Sequence, residues 1–348
     1  MPKPKKRRFV RVGAVLVYVD DLLMSLELKN LQSFIKRLQQ TWKTSEAELL
    51  GLNVETMRFL GYEMEYQGEN QDLVIHQQPY IIELLEDFCP QLMLKGRGNP
   101  GEPESFAKSE AKKELMEEDP LETAKLSSVL GRLLWVALRS RPDVAWTVNR
   151  AASQAAKEPA LARTRIRHAL QYLYHTLDYT LEYKRVEGCP SQLVLYTDAS
   201  LSPTGSQSQQ GILLMLGNEE QSTTITWQTS RQTLTALSSA EAELIALVAG
   251  CQLALMLRAL VEEYMGTEIP IVARCDNAAV VMIAAKESSN GPRTRHLSMR
   301  AAWLRYLQSS GNAVIEFVDT LCQKADALTK GLASLVMPRV RTDLGLVL

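Results

Sequence analysis

The chain has 348 residues, of which 46% are apolar and 23% charged, a globular composition that excludes a disordered chain and is long enough for two or three cores. Five cysteines (Cys89, Cys189, Cys251, Cys275, Cys322) lie far apart without C-x-x-C spacing, which argues against a zinc ribbon or a disulfide framework and for a reducing interior. The formal charge of −1 hides an asymmetry: acids outnumber bases roughly three to one over 46–122, and bases predominate over 132–185.

In chain order, MPKPKKRR has the charge of a secretory leader without its apolar stretch. It reads as a basic arm, a nuclear-import patch or a solubilising tail. The expected location is intracellular, in cytoplasmic particles or the nucleus, and not secreted. VLVYVDDLLM follows, an apolar strand, Val15 to Val19, delivering Asp20 and Asp21 to a hairpin tip. Adjacent carboxylates repel unless a cation or water reaches them. LKNLQSFIKRLQQTW has helical spacing. VETMRFLGYEMEYQGENQDLVIHQ reads as a strand pair turning at Gln67, Gly68, Glu69 and Asn70, and PYIIELLEDF as a short helix begun by Pro79.

The stretch from Cys89 to Pro120, rich in Gly, Pro and charge, reads as a linker unable to sustain a core. LETAKLSSVLGRLLWVALRSRPDVAWTVNRAAS and ARTRIRHALQYLYHTLDYTLEY then give two or three amphipathic helices, broken at Arg141-Pro142-Asp143. Their bases include Arg132, Arg139, Arg141, Arg150, Arg163, Arg165 and Arg167, which suit either phosphate contacts or a solvated helix face.

After Gly188-Cys189-Pro190 come strand candidates SQLVLYTDAS, GILLMLG and TTITWQTS. A long helix SSAEAELIALVAGCQLALMLRALVEEY follows, then alternating strands and helices to KADALTKGL. Three strands followed by alternation mean a mixed sheet flanked by helices, an α/β fold. The long apolar run is interrupted by Gln252 and Arg258 and reads as a buried helix, with no membrane span.

Four acids of this last region fall at telling places: Asp198 ends a strand, Glu243 lies early in the long helix, Asp276 ends a later strand and Asp326 opens the last helix. Carboxylates converging on one sheet edge suit divalent cations. Taken singly, Asp276 with Asn277 fits a helix cap, Asp326 a dipole end and Asp198 a turn. Ser238-Ser239-Ala240-Glu241 fits a capping box, making Glu241 structural and leaving Glu243, on another helix face, free for metal.

YTDAS, WQTSRQTLTALSSAEAELIAL, CDN, RTRHLSMRAAWLRY and QKADALTK, in that order, resemble the ribonuclease H domain of copia-type long-terminal-repeat retrotransposons. Upstream, YVDD resembles the third catalytic motif of reverse transcriptase, FLGYEM its primer-grip hairpin, HQQPYIIELLEDF the start of its thumb, and SSVLGRLLWVALRSRPDVAWTVNRAAS the connecting segment. The resemblance implies an α+β remnant of palm and thumb (1–88), a linker (89–122), a helical connection (123–188), a ribonuclease H-like domain (189–335) and a tail (336–348). It further implies hydrolysis of the RNA strand of an RNA–DNA hybrid by two Mg²⁺ ions, expected about 4 Å apart, with Mn²⁺ as an alternative. Asp198, Glu243, Asp276 and Asp326 would be ligands, and Ser200, Gln232, Asn277, Arg293, Arg295 and His296 nucleic-acid contacts.

This sequence departs from the copia pattern at Ser298, where an aspartate is usual, and has no room for the histidine loop of cellular ribonucleases H before Asp326. His296 is the candidate for that role, set against plain packing. A polymerase would need a further aspartate and fingers ahead of YVDD. Asp20 and Asp21 are therefore expected to be a remnant metal site without its partner, and the missing upstream part of Pol a prospective partner. The oligomeric state stays open. The rival readings are a non-catalytic nucleic-acid-binding remnant and a part of an RNA-directed DNA polymerase assembly.

Overall fold

The computed structural model describes residues 12–88, 97–101, 121, 124–184, 191–202, 207–218, 221–285 and 295–348, with the backbone alone at 295–298. Contacts divide the chain into two compact units, Met1–Tyr66 and Gln67–Leu348.

In the first unit, β1 (Gly13–Tyr18) and β2 (Asp21–Leu26) form an antiparallel hairpin with Tyr18 opposite Asp21. β1 stops one residue short of the expected Val19, which takes φ 52° in the two-residue turn, a left-handed backbone that strains a β-branched residue. α1 (Leu28–Thr41) is amphipathic, and none of its residues is fully buried. β3 (Thr56–Phe59) and β4 (Tyr62–Gln67) pair across Leu60-Gly61, whose φ values of 52° and 79° fit a primed hairpin turn. The stretch read as one strand pair thus contains three strands, the last being β5 (Asp72–His76). Only Gly61 signalled the extra turn, because Leu60 is not a turn-forming residue.

The second unit continues from β5 through α2 (Gln78–Phe88), α3 (Leu126–Ala137), a 3₁₀ turn at Pro142–Val144, α4 (Ala145–Gln154), α5 (Pro159–His175) and β6 (Thr180–Tyr183). The principal sheet contains β7 (Gln192–Ser200), β8 (Gln209–Gly217), β9 (Ser222–Arg231), β10 (Ile271–Cys275) and β11 (Ala313–Phe317). Between its strands lie α6 (Ser239–Met265), α7 (Ala278–Ala285) and α8 (Arg295–Ser309). The chain ends in 3₁₀ turns at Thr320–Cys322, Lys324–Leu328 and Ser334–Val336, then α9 (Met337–Asp343) and β12 (Leu346–Val347).

The principal sheet has the order β11-β10-β7-β8-β9. β7, β8 and β9 are antiparallel neighbours, whereas β10 runs parallel to β7 and β11 parallel to β10. This is the mixed α/β sheet expected from three strands followed by alternating helices and strands. Alternation along its strands feeds two cores. Leu193, Leu195, Ile212 and Leu214 pack under α6, α7 and α8, while Val194, Tyr196, Leu213 and Met215 pack against residues of α2, α3, α4, α5 and α9. β8 is buried on both faces, which explains why GILLMLG is apolar without alternation.

Three expectations change here. DYTLEY, read as helix, ends in β6, which pairs antiparallel with β5 and β12; its Thr, Leu and Tyr favour extended backbone. The supposed tail folds as α9 and β12, with Leu344 and Leu346 buried, so 336–348 completes the core that holds Val194, Tyr196, Leu213 and Met215. The helical connection shares that core with the sheet. Of the supposed linker, the described residues Asn99 and Leu121 are buried, and a Cβ at Gly101 would come within 2.4 Å of Thr147 Oγ1.

The basic stretch is also more internal than its charge suggests. Arg141 is buried with both guanidinium edges used: Nε and Nη2 donate to Asp143 at 3.0 and 2.8 Å, and Nη1 donates to the Thr176 carbonyl at 2.8 Å. The Tyr172 hydroxyl donates to the same Asp143 at 2.7 Å. Arg165 and Arg167 are buried as well, and Arg132 pairs with Glu83 and Asp87. These side chains hold helices together; they do not form an open phosphate-binding face.

Candidate active site

β7 and β10 are parallel neighbours, so their carboxyl ends open on the same edge of the sheet beside the antiparallel half, where a crevice forms in such folds. Asp198 lies near the end of β7, opposite Gly211 of β8, and Asp276 directly follows β10. α6 packs across β7, and Gly250 permits the approach: a Cβ there would lie 2.6 Å from Thr197 Cγ2. That contact brings Glu243, near the start of α6, over the same edge. The last acid arrives on the 3₁₀ turn Lys324–Leu328, not on the α-helix read from KADALTKGL. Gly211 is again the permissive residue, since a Cβ would meet Leu328 Cβ at 2.7 Å and Thr329 Cγ2 at 2.9 Å.

The four acids converge. Carboxylate oxygens of Asp198, Asp276 and Asp326 lie within 4.8 Å of one another, and Glu243, Asp276 and Cys275 Sγ form a second group on the same criterion. Asp276 belongs to both and joins them. Glu243, only 5% exposed, accepts the Ala199 amide at 3.1 Å through Oε1, while Oε2 is buried without a partner. Asp326 likewise has one buried oxygen, Oδ1, unpartnered. Orphaned carboxylate oxygens in a cluster of like charges fit divalent cations, and the hard oxygen donors fit Mg²⁺ or Mn²⁺. Cys275 remains a thiol, its pKa pushed up to about 12 by burial.

Burial and mutual repulsion hold the metal-free cluster toward protonation. Burial, then the Asp198 charge, raises Glu243 to about 9. Asp198 rises to about 6, chiefly through burial and despite the hydrogen bond from the Thr329 hydroxyl, with the neighbouring Asp326 adding. Asp326 is raised by burial while Lys330 opposes the shift.

The contacts bear on two of the single-residue alternatives. Asn277 Oδ1, not Asp276, accepts the Val280 amide at 3.3 Å at the start of α7, leaving Asp276 for the cluster. Ser238 Oγ accepts the Glu241 amide at 3.1 Å, and Glu241 Oε2 returns to the Leu237 amide at 2.8 Å, one residue earlier than a capping box requires. Gln232, expected at the hybrid, is instead buried, its Nε2 donating to the Ala242 carbonyl at 2.7 Å. That bond ties the end of β9 to α6. Ser200 is half-buried at the end of β7. Arg293 and the side chains of Arg295 and His296 lie outside the described residues. Asp20 and Asp21 are exposed at the β1–β2 turn, and among the described residues no metal-ligating group includes them.

Three supporting residues escaped the sequence. Thr329 donates to Asp198, Thr320 Oγ1 donates to Asp276 Oδ2 at 3.0 Å, and Lys330 Nζ lies 2.9 Å from Asp326 Oδ2. Thr329 and Lys330 stand three and four residues after Asp326, the spacing of neighbours on a helical turn, which was the available signal.

No family model matches the chain. A 337-residue alignment covering 95% of this chain is 25% identical to the retrovirus-related Pol polyprotein from transposon TNT 1-94 of Nicotiana tabacum. This chain is related to retrotransposon Pol polyproteins. Another such relative is the transposon Ty1-DR6 Gag-Pol polyprotein of Saccharomyces cerevisiae, 23% identical over 91% of the chain. The chain spans 24% and 18% of the lengths of these two Pol relatives. A putative transposon Ty5-1 protein of the same yeast is 28% identical over 53% of this chain and 56% of its own length. Among solved structures, LC11-RNase H1 is 17% identical with a TM-score of 0.31, covering 40% of this chain and 92% of that one. A foamy viral protease–reverse transcriptase bound to double-stranded DNA is 18% identical with a TM-score of 0.24, covering 88% and 55%.

Proposed function

We propose that the chain is an RNA–DNA hybrid ribonuclease of the copia-type Pol class, with a first unit derived from reverse transcriptase. The observation that supports this best is the convergence of Asp198, Glu243, Asp276 and Asp326 at the carboxyl edge of the β7–β10 pair, with buried oxygens left over. Asp198, Asp276 and Asp326 would hold one Mg²⁺ and Glu243 with Asp276 a second. Ions held there would supply activation of the attacking water and charge stabilisation of the leaving 3′ oxygen.

The protein's own groups set up that chemistry. Thr329 and Thr320 fix the carboxylate rotamers of Asp198 and Asp276, and the Ala199 amide fixes Glu243, so the oxygens are preorganised at small further cost. No side chain is needed as a nucleophile. A hybrid would be told from DNA by its 2′-hydroxyls in the wide minor groove; Ser200 and the Nδ2 of Asn277 remain candidates for those contacts.

The test is cleavage of a hybrid labelled on its RNA strand, with and without Mg²⁺, by wild type and Asp198→Asn. Wild type should cut only with the ion. Asp198→Asn should lose at least about 100-fold in rate while binding the hybrid as well or better. Mutant cleavage at the wild-type rate would misplace the site, and metal-dependent binding without any cutting would favour a non-catalytic remnant.

A further inference from the structure

Lys330 is the cation of the carboxylate cluster. Among the described residues it makes the only ion pair to any of the four acids, at 2.9 Å from Asp326 Oδ2. An exposed pair four residues apart ordinarily contributes little to stability, and Lys330 is 45% exposed. This pair is different in its anion. Asp326 is 22% exposed, stands within 4.8 Å of Asp198 and Asp276 through its carboxylate, and has its other oxygen buried without a partner. The ammonium therefore rests on Oδ2 of a carboxylate whose orphaned Oδ1 a divalent ion would claim, and two positive groups on one carboxylate repel each other.

We propose that Lys330 is a displaceable counter-cation of the cluster. It competes with divalent metal for Asp326 and, once displaced, binds a phosphate of the strand held at the site. The inference rests on the nuclease reading for its second half only. A lysine ammonium suits both tasks, being a compact charge on a flexible stem that needs no fixed fork geometry. When metal occupies the acids, the nearest unneutralised anion is the nucleic-acid backbone, and a lysine beside the transferring phosphoryl group stabilises the charge that develops there.

The full-length chain, its Lys330→Gln variant and its Lys330→Arg variant would be titrated with Mn²⁺ alone, read by the free-ion electron paramagnetic resonance signal. Hybrid binding would then be followed against salt in Ca²⁺. Lys330→Gln should bind Mn²⁺ about threefold or more tighter, because its competitor is gone, and its salt slope for the hybrid should fall by about one. Lys330→Arg should return both toward wild type. Equal or weaker Mn²⁺ binding by Lys330→Gln would overturn the proposal, since a merely structural lysine gives that result. An unchanged salt slope would overturn the phosphate half. If tighter Mn²⁺ binding appears in a chain that cuts no hybrid, the nuclease reading fails and the counter-cation stands.

Discussion

Glu243 accepts one amide through Oε1 and buries Oε2 without a partner, so folding the metal-free chain favours its protonated form. A carboxyl raised in the fold stabilises fully below its unfolded value, about 4.5, and loses that contribution as pH rises through its folded value, about 9. Asp198 completes its own loss lower, by about pH 6. His168 works in the opposite sense: burial and nearby arginines lower it to about 3, so its contribution is lost as pH falls below 6.5. Between pH 6.5 and 9 Glu243 dominates. The Tm of the metal-free protein, followed by circular dichroism, should fall across that window, flatten in Glu243→Gln and flatten with added Mg²⁺; an unchanged slope in the variant would place the effect elsewhere. Asp198, Asp276 and Asp326 drew notice because each stands at a strand end or turn where a carboxylate has no packing use, and Glu243 because it lies on a different helix face from the capping Glu241. Gln232 was misread because burial depends on where β9 meets α6, which local pattern does not specify.

At the scale of elements, the site depends on two close approaches, α6 onto β7 at Gly250 and the Lys324–Leu328 turn onto β8 at Gly211. Gly211→Ala places its Cβ 3.0 Å or less from Leu328, Thr329 and the Ala325 carbonyl. Overpacking of this kind costs about 1–3 kcal/mol. The variant should remain folded, with a lower Tm, and lose about tenfold or more in hybrid cleavage as the Asp326 turn moves away. Full activity at a lowered Tm would show that the turn's position is not limiting. Strand and helix identities in the principal sheet followed from apolar runs and from Ser238 at the start of α6. β6 and β12 did not, because each is a short edge-region strand whose pairing partner is remote in sequence.

For the whole molecule, among the described residues the two cores draw only on the unit Gln67–Leu348, and so do the four acids. A chain of 67–348 should therefore fold and cut hybrids within about threefold of the full chain, as expected for a unit with its own core; loss of folding, seen as a missing cooperative thermal transition, would make Met1–Tyr66 part of the stable structure. The composite reading, from palm remnant to nuclease, came from motif order along the chain. That the connection helices, α9 and β12 share one core with the sheet could not be read that way, since amphipathic faces do not name their partners. On the proposed function, four carboxylates remote in sequence form one cation site. The most direct test is anomalous scattering from crystals of the protein grown with Mn²⁺. Two peaks are expected, one bounded by Asp198, Asp276 and Asp326 and one between Glu243 and Asp276; well-ordered carboxylates with no peak among them would contradict a cation site there.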